Sequence, residues 1–81
     1  MTTARTVLIT GGNRGIGYAI AERFIADGHR VAVTARSGAG PAGALTVIAD
    51  VTDSDSLDAA LTAVESELGP IEVLVANAGI T

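Results

Sequence analysis

Two kinds of hydrophobic pattern alternate along the chain. Thr6–Thr10, Arg30–Ala35, Leu45–Ala49 and Ile71–Ala76 are short, largely apolar runs rich in β-branched residues. Runs of this length and composition predict buried strands. Between them the apolar residues are spaced differently. From Gly15 to Asp27 the positions Ile16, Ala19, Ile20 and Phe24 recur at helical spacing, with Gly28 as the stop. Leu57, Leu61, Val64 and Leu68 mark a second helix, which Thr52, Asp53 or Ser54 caps and Gly69-Pro70 closes. The stretch Ser37-Gly38-Ala39-Gly40-Pro41-Ala42-Gly43 is a loop by composition.

Strand, helix, strand, strand, helix, strand predicts an α/β fold with a parallel sheet. Right-handed crossovers arrange it in the order 3-2-1-4, the first half of a doubly wound sheet. The connections leaving strands one and four diverge to opposite faces, and a crevice forms at the carboxyl ends of those strands. Gly11–Gly17 and Asn77–Gly79 both lie at that edge. One connection is short for this topology. Residues 36–44 join the second and third strands, whereas a parallel crossover usually takes about a dozen residues or more. An abbreviated helical turn or an irregular loop is expected there.

Composition narrows the picture. Eighty-one residues allow at most one small domain. By size scaling, its hydrophobic gain and its ordering entropy nearly cancel, so the fold is marginal unless something else covers it. Cysteine is absent, which removes disulfides and thiolate metal sites. With one histidine and scattered carboxylates no metal site assembles. The net charge of −4 argues against nucleic acid as a partner. No apolar run approaches the ~20 residues of a membrane span. The segment Met1–Arg5 has no apolar signal core, so the expected location is the cytoplasm. All five basic residues are arginine: Arg5, Arg14, Arg23, Arg30 and Arg36.

The candidate chemistry lies in Thr10-Gly11-Gly12-Asn13-Arg14-Gly15-Ile16-Gly17, between the first strand and the first helix. A glycine cluster in this position presents bare backbone N–H groups to a phosphate, with the helix dipole behind them. Gly11 permits the tight turn off the strand, and Gly15 and Gly17 let the helix start approach a pyrophosphate and the sheet. The spacing Gly-x-x-x-Gly-x-Gly resembles the glycine motif of the classical short-chain dehydrogenase/reductase family, rather than the general Gly-x-Gly-x-x-Gly fingerprint. Asp50-Val51, after the third strand, resembles the pair that holds the adenine ring in that family. Asn77-Ala78-Gly79, after the fourth strand, matches its Asn-Ala-Gly motif, in which Asn77 would steady the central sheet and Gly79 would pass close to the cofactor. The likeness covers the whole chain and implies the N-terminal half of a Rossmann domain. Its text is most similar to actinobacterial 3-oxoacyl-[acyl-carrier-protein] reductases.

That resemblance implies an NADPH-dependent reduction of 3-oxoacyl thioesters, as in fatty acid biosynthesis, or of a related carbonyl substrate, by a homo-tetramer. The expected cofactor-binding residues are Gly11, Asn13, Arg14, Gly15, Ile16 and Gly17 in the loop, Arg36, the pair Asp50 and Val51, and Asn77, Ala78 and Gly79. NADP(H) is expected over NAD(H) because the second strand ends Ala35-Arg36, with no acid for a ribose 2′-hydroxyl. Arg14 reaches the same 2′-phosphate, and guanidinium forks suit it. His29, at a helix end, reads as a solvated histidine, and Tyr18 as a packing residue beside the glycine loop.

The family's catalytic half is missing. In relatives a tyrosine protonates the carbonyl oxygen, a lysine lowers its pKa, a serine orients the substrate and a later asparagine completes a proton relay. No Tyr-x-x-x-Lys occurs in this sequence, there is no lysine, and Asn77 is not the relay asparagine. Residues 1–81 therefore read as a partial NADP(H)-binding domain, a fragment of a longer chain that is inactive alone. The apolar fourth strand would be an exposed edge, which invites pairing. A non-catalytic dinucleotide-binding module and a non-functional truncated fragment are the alternatives.

Overall fold

The computed structural model describes residues 3–77. Its elements run β1 (Thr6–Thr10), α1 (Gly15–Ala26), β2 (Arg30–Ala35), β3 (Leu45–Ile48), α2 (Ser54–Leu68) and β4 (Val73–Val75). The four strands form one parallel sheet in the order β3-β2-β1-β4, as expected from right-handed crossovers. In register, Leu8 lies between Ala32 on β2 and Leu74 on β4.

Alternation along the strands divides the core between the two faces of the sheet. Val7, Ile9, Val31 and Val33 meet Ala21 of α1, with Ile20, Phe24 and Ile25 packed around them. Leu8 and Ala32 face the other way and meet Val64 of α2, backed by Leu61, Leu68 and Ile71. All five residues of β1 are buried, as a central parallel strand covered by helices on both faces should be. At the edge, Val73 and Val75 of β4 pack on the α1 face. Leu74, on the opposite face, remains 58% exposed.

The helix-period reading needs one correction. Helical spacing places Ile16 and Ala19 on the packing face of α1, yet both are exposed, Ile16 at 73%. Gly17 and Ala21 are the buried positions, because small residues let the helix settle close to the sheet. Two strands are also shorter than their apolar runs. β3 ends at Ile48, although the Ala49 N–H still donates to the Ala35 carbonyl at 2.9 Å. β4 begins late because the Ile71 N–H is taken by the Glu65 carboxylate at 3.1 Å. It ends early because the Asn77 N–H turns to a threonine hydroxyl. His29 is half-buried rather than solvated: its Nδ1 accepts the Arg5 N–H at 3.0 Å, and its ring meets Phe24 edge-on at 5.7 Å.

The short β2–β3 connection forms no helix. It closes on a turn in which the Ala44 N–H donates to the Pro41 carbonyl at 3.1 Å. Pro41 is buried and Ala44 packs onto the α1-side core, so the loop covers part of that face itself. At the other end of the sheet, Arg30 Nε donates to the Leu68 carbonyl at 3.0 Å, placing a cation at the α2 C-terminus where the helix dipole favours one. Among the described residues, no helix is long and apolar enough to cross a membrane.

Candidate functional site

The carboxyl edge of the sheet opens into a cleft of about 680 Å³. Its walls come from the loop after β1, the end of β2, the turn after β3 and Asn77, two residues past β4. The N-terminus of α1 forms its floor. Arg14 holds the N-cap position in extended backbone (φ −165°, ψ 167°), its side chain makes no capping hydrogen bond, and the first turn carries no acid. The helix therefore presents its first N–H groups and its dipole to the cleft without a partner from its own cap.

Two glycines make this approach possible. Gly15 opens the helix at φ +62°, in the left-handed region that side chains disfavour. Gly17 is packed so closely that a Cβ there would lie 2.5 Å from Asn77 Nδ2 and 2.8 Å from the Gly11 carbonyl oxygen. The same Asn77 amide donates to the Gly11 carbonyl at 3.2 Å, tying the end of β4 to the glycine loop. Asn13 Nδ2 donates to the Ser37 carbonyl at 3.2 Å and ties that loop to the chain leaving β2.

A row of threonine hydroxyls sets the height of these loops. Thr10 on β1 accepts the Asn77 N–H at 3.0 Å. Thr34 on β2 accepts the Gly11 N–H at 3.1 Å. Thr46 on β3 accepts the Gly40 N–H at 2.9 Å. In each case the loop leaving one strand is held by a side chain of the next strand in the sheet. Sequence reading did not single out Thr34 or Thr46, since a threonine inside a strand carries only a β-propensity signal. Thr34 stands next to the last residue of β2, whereas Thr46 is the second residue of β3, so no shared position in the strands marks them out.

On the far side of the cleft, Arg36 NH2 lies 3.9 Å from Asp50 Oδ2. Asp50 Oδ1 accepts the Thr52 hydroxyl at 2.6 Å and the Thr52 N–H at 3.0 Å. The Thr52 hydroxyl, then its N–H and to a smaller degree Arg36 hold the Asp50 carboxyl below its usual value of 3.8, against an opposing effect of desolvation. Asp50 therefore stays ionised at neutral pH.

Most of the residues singled out from the sequence converge. Gly11, Asn13, Arg14, Gly15, Ile16, Arg36, Asp50, Val51 and Asn77 line this one cleft, and Gly17 lies beneath it. Ile16 belongs here and not to the core, which accounts for its exposure. Ala78 and Gly79 lie outside the described residues. Thr34, Ser37 and Thr52 also line the cleft. Among the described residues no group of histidines and carboxylates could hold a metal ion.

Residues 5–81 match the short chain dehydrogenase family. The chain is 62% identical over 78 residues to the 3-oxoacyl-[acyl-carrier-protein] reductase MabA of Mycobacterium bovis, an alignment covering 96% of this chain and 32% of that protein. An acetoacetyl-CoA reductase of Synechocystis is 45% identical over 78 residues, with 95% of this chain and 32% of that one covered. The chain thus spans about a third of the length of the curated relatives it matches. Among solved structures, the ligand-free aldohexose dehydrogenase of Thermoplasma acidophilum superposes with a TM-score of 0.87 at 40% identity, covering 95% of this chain and 30% of that one. The 3-ketoacyl-(acyl-carrier-protein) reductase of Brucella melitensis, complexed with NADH, gives 0.86 at 37% identity, covering 94% of this chain and 35% of that one. Glycine spacing, strand order and these likenesses agree: the chain belongs to the short-chain dehydrogenase family.

Proposed function

We propose that residues 1–81 are the cofactor-binding part of an NADPH-dependent oxidoreductase that reduces 3-oxoacyl thioesters or a related ketone. One observation carries the binding half of this reading: α1 starts at the cleft without a side-chain cap or a first-turn acid, and Gly17 in its first turn is packed too tightly for a side chain. A pyrophosphate supplies the negative charge that such a helix end favours. The residues fit a dinucleotide. Gly11, Asn13, Gly15 and Ile16 would hold its phosphates, with Gly17 allowing the approach. Asp50 and Val51 would meet the adenine, and Asn77, Ala78 and Gly79 would follow the cofactor from β4. Bound there, the nicotinamide supplies a hydride for a carbonyl carbon.

The preference for NADP(H) rests on Arg36 and Arg14, both exposed and both on the cleft. Ala35 precedes Arg36 where an NAD-selective site would carry an acid. The Brucella relative was complexed with NADH, so the preference has to be measured on this protein. Calorimetric titration of Arg36→Asp should move the NADPH/NADH affinity ratio towards NADH; an unchanged ratio would defeat the assignment. The thioester substrate is supported by the identity to MabA and to the acetoacetyl-CoA reductase. The catalytic acid has to lie outside these residues, which contain one tyrosine, Tyr18, and no lysine. Tyr18 stands on α1 and is half-buried. We therefore expect no turnover of an acetoacetyl thioester by the 81-residue chain alone. A second reading is a dinucleotide-binding module without catalysis. Turnover by the full-length protein would exclude it.

A further inference from the structure

Arg36 and Asp50 leave the adjacent strands β2 and β3, whose last paired residues are Ala35 and Ile48, and face each other at the cleft. They are held very differently. Asp50 is fixed on three sides: Oδ1 takes the Thr52 hydroxyl at 2.6 Å and the Thr52 N–H at 3.0 Å, while its own N–H donates to Ser56 Oγ at 3.0 Å. The Arg36 side chain is 82% exposed, and its ion-pair partner among the described residues is Asp50, at 3.9 Å. A fixed anion thus tethers a solvated cation.

We infer that Asp50 is a specificity-determining residue that competes internally for Arg36 and lowers the cleft's preference for a 2′-phosphorylated dinucleotide over an unphosphorylated one. This rests on the reading of Arg36 as the 2′-phosphate partner. Two effects point the same way. A ligand phosphate has to draw the guanidinium from a carboxylate that is already ionised and in place. The same carboxylate lies well within a Debye length of that phosphate and repels it. A dinucleotide with a bare ribose bears neither cost, so Asp50 leaves its binding less affected. The effect is modest, because the pair is exposed and screened by solvent.

The test measures dissociation constants of NADPH and NADH by calorimetry on the full-length protein, for the wild type, Asp50→Asn, Arg36→Ala and the double variant. The quantity read is the ratio of the NADH constant to the NADPH constant, in which any contact of Asp50 with the shared adenine cancels. Asp50→Asn should raise this ratio roughly two- to fivefold, the range an exposed pair allows. The rise should shrink at high salt, and it should be clearly smaller in the Arg36→Ala background, where only the direct repulsion remains. An unchanged or lower ratio in Asp50→Asn overturns the inference while leaving the cofactor assignment intact. An equal rise without Arg36 overturns it too, since Asp50 would then act on the phosphate alone. If Arg36→Ala leaves the ratio unchanged, the reading of Arg36 as the 2′-phosphate partner fails and the inference fails with it. Asp50→Ser removes the same charge and supplies the measurement should Asp50→Asn fold poorly.

Discussion

The two helices begin in opposite ways. At the start of α2, Asp53 takes the N-cap position and its carboxylate accepts the N–H groups of Asp55 at 2.9 Å and Ser56 at 3.3 Å. Asp55 adds a second negative charge in the first turn. That end satisfies itself, and its dipole is already opposed. At the start of α1, Arg14 stands where a cap would be, offers no acceptor, and is followed by glycine and isoleucine rather than acids. A self-contained domain has every reason to cap both helices. Of the two helices, α1 alone is left open, and it opens onto the cleft, which sets the proposed anion site apart from a helix start that satisfies itself.

The sharpest way to break this contrast is to fill the open end. Gly17→Val places a side chain where even a Cβ would lie 2.5 Å from Asn77 Nδ2, so dinucleotide affinity should fall at least ~100-fold. Stability should fall by about 1–3 kcal/mol, the usual cost of overpacking. Calorimetry and urea unfolding read the two effects, and retention of near-wild-type affinity would contradict the packing described here.

Arg14→Asp converts α1 into a copy of α2. The new carboxylate should cap the free N–H groups and stabilise the helix by roughly 0.5–1 kcal/mol. It should also weaken NADPH binding by about tenfold or more, through charge repulsion at the phosphates. Stabilisation together with loss of binding is the expected signature. Tighter binding would show that the open helix end is not the anion site.

Asp53→Ala tests the other side of the comparison. Loss of the α2 cap should cost about 1 kcal/mol in denaturant unfolding, with dinucleotide affinity unchanged. A matching loss of affinity would mean that the two helix ends are not independent.

The smallest effect concerns pH. The folded Asp50 carboxyl is held below its usual 3.8, so its contribution to stability is complete above that value and disappears as pH falls through the lower, folded value. Acid unfolding of Asp50→Asn should therefore be slightly less steep below about pH 4 than that of the wild type. Superimposable acid limbs would show that the Thr52 and Arg36 contacts carry no linkage.

How much of this was legible beforehand depended on the distance over which each signal acts. Strand order followed from the alternation of apolar runs and helical spacing, because burial on both faces of β1 demands that pattern. The glycine loop was legible because three glycines at fixed spacing are poorly suited to anything except close approach and positive φ. Periodicity misplaced Ile16, since an apolar residue at helical spacing looks the same whether it meets a core or a cleft. Asp53 was one of three candidate caps, and only backbone geometry distinguishes it from Thr52 and Ser54. Thr52 instead turns back to hold Asp50. The roles of Thr34 and Thr46 depend on partners in other loops, 23 residues from Thr34 and 6 from Thr46, and no local pattern encodes such pairs.

Those hydroxyls carry a further consequence. Because the loops after β1, β2 and β4 are each suspended from the strand beside their own, the shape of the cleft depends on the register of the sheet as well as on the loops themselves. A sequence change within the loop after β2 can leave its height untouched while Thr46 keeps its hydroxyl. A slip of β3 by a single position would displace that loop without altering one of its residues. Geometry at this edge is thus stored partly in strand pairing, at a distance from the loops that display it.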